Sequence, residues 1–277
     1  MKVRVFSLSI FLAVSFFSES YAQVFVGPVA GPNFSWTSFD DKDLKDVYSA
    51  SPVFGFHAGV QVAFRVRKRF YLNTSIVYST KGKVLTSSDD ELSAKYDPFL
   101  KNKVTYQYIE MPILYNVDFL GKMRGKNFKY FLGIGPNISY WMGGKGEIWN
   151  VDLEETNVAD EDNKLEYKIV FKQDENTLPE DQMNVADPNR VQLGLTFATG
   201  LDFEPSRNSK MILMLRYELG GSFLSKTSDG YFSTTPSYQD PLRVRNQGFR
   251  ISIAYLFDLK LEQRKKGKST IDKKKPK

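Results

Sequence analysis

Phe249-Arg250-Ile251-Ser252-Ile253-Ala254-Tyr255-Leu256-Phe257 decides the fold of this chain. Phe249, Ile251, Ile253, Tyr255 and Phe257 form one apolar row, while Arg250, Ser252, Ala254 and the following Asp258 point the other way. Side chains alternate between the two faces of a strand, so this segment has one face for oil and one for a wetter environment. Seven further stretches share the alternation, which gives predicted strands at 25–36, 52–66, 70–81, 103–119, 127–141, 189–204, 210–220 and 246–258. In the second, Phe54, Phe56, Val60, Val62 and Phe64 oppose Gly55, His57, Gly59, Gln61 and Arg65. In the fourth, Ile109, Met111, Ile113, Tyr115, Val117 and Phe119 oppose Tyr108, Glu110, Pro112, Asn116 and Asp118.

A soluble sandwich would alternate in the same way, and the segments between the strands separate the two readings. The connections after the second, fourth and sixth strands (67–69, 120–126, 205–209) are short, and those after the first, third, fifth and seventh are long. Outer-membrane barrels have short periplasmic turns, long external loops and periplasmic termini, whereas a sandwich has no reason to sort its loops. The expected fold is all-β: an eight-stranded antiparallel up-and-down transmembrane β-barrel over 23–259. Aromatic residues fall where interface girdles belong. Phe64, Phe70, Phe119, Phe203 and Phe257 lie near the periplasmic ends, and Trp36, Phe54, Tyr78, Tyr140 and Trp141 near the external ends. In the longest loop, Trp149, Val151 and Leu153, then Leu165, Tyr167, Ile169 and Phe171, alternate with polar residues. They read as a projecting hairpin closed by the acidic turn 154–163. The alternative counts the pair as two more membrane strands, making ten.

The start of the chain fits export. Lys2 and Arg4, the apolar run 8–17 and Ser20-Tyr21-Ala22 form a signal peptide over 1–22, with cleavage expected before Gln23. There is no Cys, so neither a lipid-anchored N-terminus nor a disulfide scaffold is available. No apolar run after the leader reaches the roughly 18 residues of a membrane helix, so a membrane protein of this sequence must cross as a closed barrel. The formal charge of +6 is uneven: the leader carries +1 and 260–277 carries +7, which leaves the body at −2. That distribution excludes a basic nucleic-acid face and marks 260–277 as a basic disordered tail, either a solvated extension or a periplasmic contact for an acidic partner.

These segments resemble the PorT-like outer-membrane β-barrel family, common among Bacteroidetes. The residues that carry the resemblance are Gly27, Gly31, Asn33 and Ser35, then Tyr108-Ile109-Glu110-Met111-Pro112, Gly133-Ile134-Gly135-Pro136-Asn137 and Ile253-Ala254-Tyr255-Leu256-Phe257. The resemblance spans most of 24–258. It implies an eight-stranded barrel, with name-giving members that look like accessory parts of a gliding-associated (type IX) secretion system. Such barrels usually end near the terminal aromatic of the last strand, whereas here the Lys-rich tail follows Phe257.

The inward phase carries Arg65, Glu110, Asp118, Asp202, Glu204, Arg216, Glu218 and Arg250. Side chains fill a small eight-stranded barrel, so opposed charges are expected to pair and plug it. The alternative is an ion or solute path, in a surface binding or narrow-channel protein for a small solute. His57, the only histidine, also faces inward, and spacing fixes no second member of a triad beside it, so hydrogen-bonded filler is the plainer reading than a hydrolase. The acidic loop (Asp160, Glu161, Asp162, Glu166, Asp174, Glu175, Glu180, Asp181) could hold divalent cations but lacks the spacing of a calcium loop. No catalytic, cofactor or metal residue is assigned. The expected surroundings are outer-membrane lipid and lipopolysaccharide, together with secretion-system or other envelope proteins, and no nucleic acid.

Overall fold

The computed structural model describes residues 23–40, 42–87, 101–123, 126–149, 164–174, 177–206, 208–226, 229–233 and 238–259. The leader, Val151 and Leu153 of the expected hairpin with its acidic turn 154–163, and the tail 260–277 lie outside the described residues. In chain order the elements are β1 (Val24–Phe39), the six-residue helix α1 (Lys42–Val47), β2 (Tyr48–Ser51), β3 (Val53–Arg67) and β4 (Phe70–Ser87). Then follow β5 (Lys101–Met123), β6 (Lys126–Trp149), β7 (Lys164–Phe171), β8 (Gln182–Val185), β9 (Val191–Ser206), β10 (Ser209–Gly220), β11 (Gly230–Phe232), β12 (Gln239–Asp240) and β13 (Val244–Leu259). The alternating stretches of the sequence correspond to β1, β3, β4, β5, β6, β9, β10 and β13.

Those strands pair antiparallel in a circuit. β1 lies against β3, β3 against β4, β4 against β5, β5 against β6, β6 against β9, β9 against β10, and β10 against β13. β13 returns to β1, with Val24 opposite Leu259 and Phe39 opposite Val244. Each of these strands therefore has its backbone polar groups answered on both sides, the condition for crossing a lipid layer. β6 runs well past the 141 expected from the sequence, because above the point where β9 leaves it, β7 takes over as partner from Gly144 to Trp149. The projecting hairpin is thus a continuation of β6. β7 is not one of the eight circuit strands; besides its pairing with β6 it pairs in parallel with β8, which carries β11 and then β12 in a small accessory sheet.

Solvent preference is inverted relative to a soluble protein. Outward residues such as Phe54 (67% exposed), Ile76 (64%) and Ile253 (58%) form an apolar belt, while Glu110 (0%), Arg216 (1%) and Arg250 (2%) are buried inside. Water would penalise this arrangement and hydrocarbon favours it; each fully covered Leu, Ile or Phe is worth roughly 1.5–3 kcal/mol. On β5 the belt begins at Ile109; above it the outward positions are Gln107, Thr105, Lys103 and Lys101. One girdle assignment needs correction. Tyr140 faces out, but Trp141 is fully buried, edge-on to Tyr106 (5.5 Å) and Phe171 (4.8 Å), with its indole N–H donating to Gly143 O at 2.9 Å. Adjacent strand residues cannot both face outward. Two of the family-motif glycines have a steric reason as well: a Cβ at Gly31 would collide with the Ile251 carbonyl oxygen, and one at Gly135 with that of Ile113.

Candidate functional site

The inward residues stack in layers. About halfway up, Glu110 of β5 accepts from Lys81 of β4 and Arg250 of β13. Glu218 of β10 closes the cluster, with Lys81 Nζ at 2.9 Å and Arg250 Nε at 2.9 Å. Ser139 donates to Glu110 Oε1 at 3.2 Å, and Lys81 also sits 5.4 Å from the Tyr108 ring. Tyr108 OH in turn accepts from Asn246 at 2.8 Å. Four strands of the circuit are therefore cross-linked through one buried carboxylate pair and two cations, an arrangement that holds only while every partner is present. Arg216 stands opposite Arg250 in register and donates to Ser252 Oγ at 3.0 Å. The motif residue Asn33 donates to Thr80 O at 2.6 Å, and Pro112 is buried beside this layer.

Toward the short turns an apolar cluster enters the interior, interleaved with buried Gln61, Asn73, Ser75 and Asn116. Phe25, Val29, Ala63, Val77, Leu114, Phe131, Ala198, Ile212, Met214, Ala254 and Leu256 form one buried cluster. On β10 it comes between Arg216 and Lys210, and on β5 between Glu110 and Asp118. A second polar group lies beyond it: Lys210 pairs with Asp202 and sits 3.9 Å from the Tyr71 ring. At this mouth Arg65 donates to Gln23 Oε1 at 3.3 Å, Gln23 donates to Asp258 Oδ2 at 2.8 Å, and Glu204 pairs with Lys129.

The expectation of one interior network over Arg65, Glu110, Asp118, Asp202, Arg216, Glu218 and Arg250 is therefore corrected to two groups. Glu110, Glu218 and Arg250 share the upper cluster and Arg216 borders it. Asp202 belongs to the lower group, while half-buried Arg65 and Asp118 lie at that end without an ion pair between them among the described residues. Two cations were missed, and both were legible. Lys81 shares the phase of Asn73, Ser75 and Ser79, and Lys210 that of Ile212 and Met214, but each stood at the end of a predicted strand.

Above the upper cluster an aromatic core fills the extended strands. It takes in Tyr106, Trp141, Tyr167, Phe232 and Tyr238 and is roofed by β7, β8, β11 and β12. Inside it Lys83 pairs with Asp240 at 3.0 Å and donates to Pro241 O at 2.8 Å. Asp240 Oδ1 also accepts from Tyr238 OH and Asn102 Nδ2, each at 3.1 Å, and Tyr167 OH donates to Asn102 Oδ1 at 2.7 Å. Burial pushes the Tyr167 and Tyr238 hydroxyls well above the ordinary tyrosine range, and the nearby Asp240 carboxylate adds to the shift.

His57 Nε2 lies 2.8 Å from Ser252 Oγ, the spacing of a base and a nucleophile. Both residues are buried, the hydroxyl already accepts from Arg216, and His57 Nδ1 has no protein partner to orient it. Among the described residues no group of three or more His, Asp or Glu gathers as a metal site. The residues Asp160, Glu161, Asp162 and Glu175 of the acidic loop lie outside the described residues.

No curated protein matches the chain. Among solved structures it is similar to the outer membrane protein OprG from Pseudomonas aeruginosa, at 10% identity and a TM-score of 0.43, over 86% of this chain and 96% of that one. Neisserial surface protein A is similar at 10% identity and a TM-score of 0.37, over 85% and 97% of the two chains. The outer membrane protease OmpT from Escherichia coli is similar at 8% identity and a TM-score of 0.32, over 86% and 96%. The family model described as outer membrane protein beta-barrel domain matches residues 18–221, most of the chain. The chain belongs to the outer membrane protein β-barrel domain family.

Proposed function

We propose that the chain is an integral outer-membrane barrel of eight crossing strands, with periplasmic termini and external long loops. It has no catalytic role and acts as a structural or accessory component of envelope transport or secretion, in the manner of the PorT-like proteins it resembles. The observation that supports this reading is the filled interior: the cluster of Lys81, Glu110, Glu218 and Arg250 ties four strands together, and buried side chains pack the space beneath it. A solute would have to displace paired charges and then the side chains packed beneath them. The working surfaces are then the roofed external end and the periplasmic mouth, where secretion-system or other envelope proteins would dock. The hydrolase reading loses support because the His57 and Ser252 pair is enclosed. Conductance of the purified protein in planar bilayers tests the proposal: no stable current is expected, and steady single-channel openings would sink the plugged-barrel reading.

A further inference from the structure

Above the apolar belt, the outward face of β5, β6 and β7 carries charges in rows fixed by register. The upper row sets Lys101 opposite Trp149 and Trp149 opposite Lys164; below it Lys103 stands opposite Glu147, and Glu147 opposite Glu166. The row nearest the belt sets Thr105 opposite Lys145, and Lys145 opposite Lys168. Two lysines directly opposed on neighbouring strands repel each other. The carboxylates one row up are already answered, since Glu147 faces Lys103 and Glu166 pairs with Lys164 at 3.0 Å. Lys145 and Lys168 are both exposed and make no ion pair among the described residues.

A third cation stands at the edge of the belt. The Arg190 guanidinium lies 4.6 Å from the Tyr140 ring and 4.8 Å from the Phe171 ring, and its Nε donates to Trp141 O at 3.1 Å. Tyr140 and the next residue, Val191, are outward members of the apolar belt. Arg190 thus stands at the edge of the apolar belt and makes no ion pair among the described residues. A cleft of about 500 Å³ opens over the same rows, lined by Lys103, Lys145 and Lys168 together with Glu147, Glu166 and Asp181.

We propose that Lys145, Lys168 and Arg190 form a seat for the phosphorylated sugar head group of an outer-leaflet lipid. This rests on the outer-membrane reading above. The phosphate lies between the opposed lysines and relieves their repulsion, Arg190 engages it from the membrane side, and the acyl chains continue down the apolar belt. The sugar hydroxyls meet the carboxylates that line the same cleft. Charge complementarity and continuity with the belt select a lipid over a soluble anion.

The test uses the full protein in phosphatidylcholine nanodiscs doped with diphosphoryl lipid A or with its dephosphorylated form, and counts retained lipid by native mass spectrometry. Wild type is expected to retain the diphosphoryl form preferentially. The triple variant K145Q/K168Q/R190Q should lose roughly tenfold in that retention, the single variant K168Q should fall between, and K101Q/K164Q in the upper row should match wild type. Equal retention of the two lipids by wild type, unchanged retention by the triple variant, or displacement of the lipid by inorganic phosphate would each overturn the seat. Heat-modifiable migration of every variant separates the two readings. A wild type that never enters the nanodisc overturns the membrane reading and the seat with it, whereas an inserted wild type without lipid preference overturns the seat alone.

Discussion

Lys81 and Lys83 are successive inward residues of one strand, and each ends in a buried ion pair, yet the two pairs do different mechanical work. Lys81 reaches Glu110 and Glu218, which stand on other strands of the closed circuit, with Arg250 on the far side. Lys83 reaches Asp240, which belongs to a two-residue strand of the roof. The same chemistry clamps the circuit to itself at one level and ties a cover to it at the next. What a buried pair contributes depends less on its distance or burial than on whether the elements it joins are already joined by ladders of hydrogen bonds.

The comparison breaks most readily at Glu110. Glu110→Ala leaves Lys81 and Arg250 uncompensated inside the barrel, a loss expected to cost about 3–5 kcal/mol. It should appear as global unfolding at lower urea in a tryptophan-fluorescence titration, with the heat-modifiable gel shift lost at lower temperature. A midpoint equal to that of wild type would mean that the cluster is solvated and does not clamp the circuit. Asp240→Asn keeps the shape but removes the charge facing Lys83, at a cost of about 1–3 kcal/mol. Here the loss should be local: hydrogen exchange should quicken in 229–243 while the global midpoint stays near that of wild type. Equal protection of that segment in both proteins would show that packing, not the ion pair, holds the roof.

The smallest effect is expected from pH. Tyr167 and Tyr238 stay protonated in the folded roof above the pH at which exposed tyrosines ionise, so the folded state holds protons that the opened state has released. Roof stability should then be flat below the ordinary tyrosine value of 10.0 and fall as pH rises past it. Exchange rates in 229–243, corrected for the intrinsic effect of hydroxide, check this. A fall that began near neutral pH would point to a different group.

The circuit was largely legible in the sequence and the roof was not, for a physical reason. Crossing strands must alternate over ten or more residues because one face meets lipid, so the Phe249–Phe257 stretch and its counterparts announce themselves. β8, β11 and β12 have four, three and two residues, with burial set by what lies above and below them instead of by period. Asp240, flanked by Gln239 and Pro241, has no pattern to mark it as the partner of a lysine so distant in the chain. Trp141 was misread because an aromatic residue at an assumed strand end suggests a girdle, whereas β6 continues to Trp149 and the indole fills the space beneath the roof. Arg65 and Asp118 share a phase with Glu110, but phase reports the face and not the height, so the separation of the two charged groups could not be read from alternation alone.

The meeting of β1 and β13 has a kinetic consequence. The circuit closes through a contact such as Gln23 to Asp258, 235 positions apart in sequence, so its seam is among the most non-local pairings the chain makes. Until β13 arrives, β1 and β10 each present an open row of backbone donors and acceptors, and the first strand must wait for the last. Folding is therefore expected to be slow, cooperative at its final step and exposed to wrong edge pairing for as long as the seam stays open.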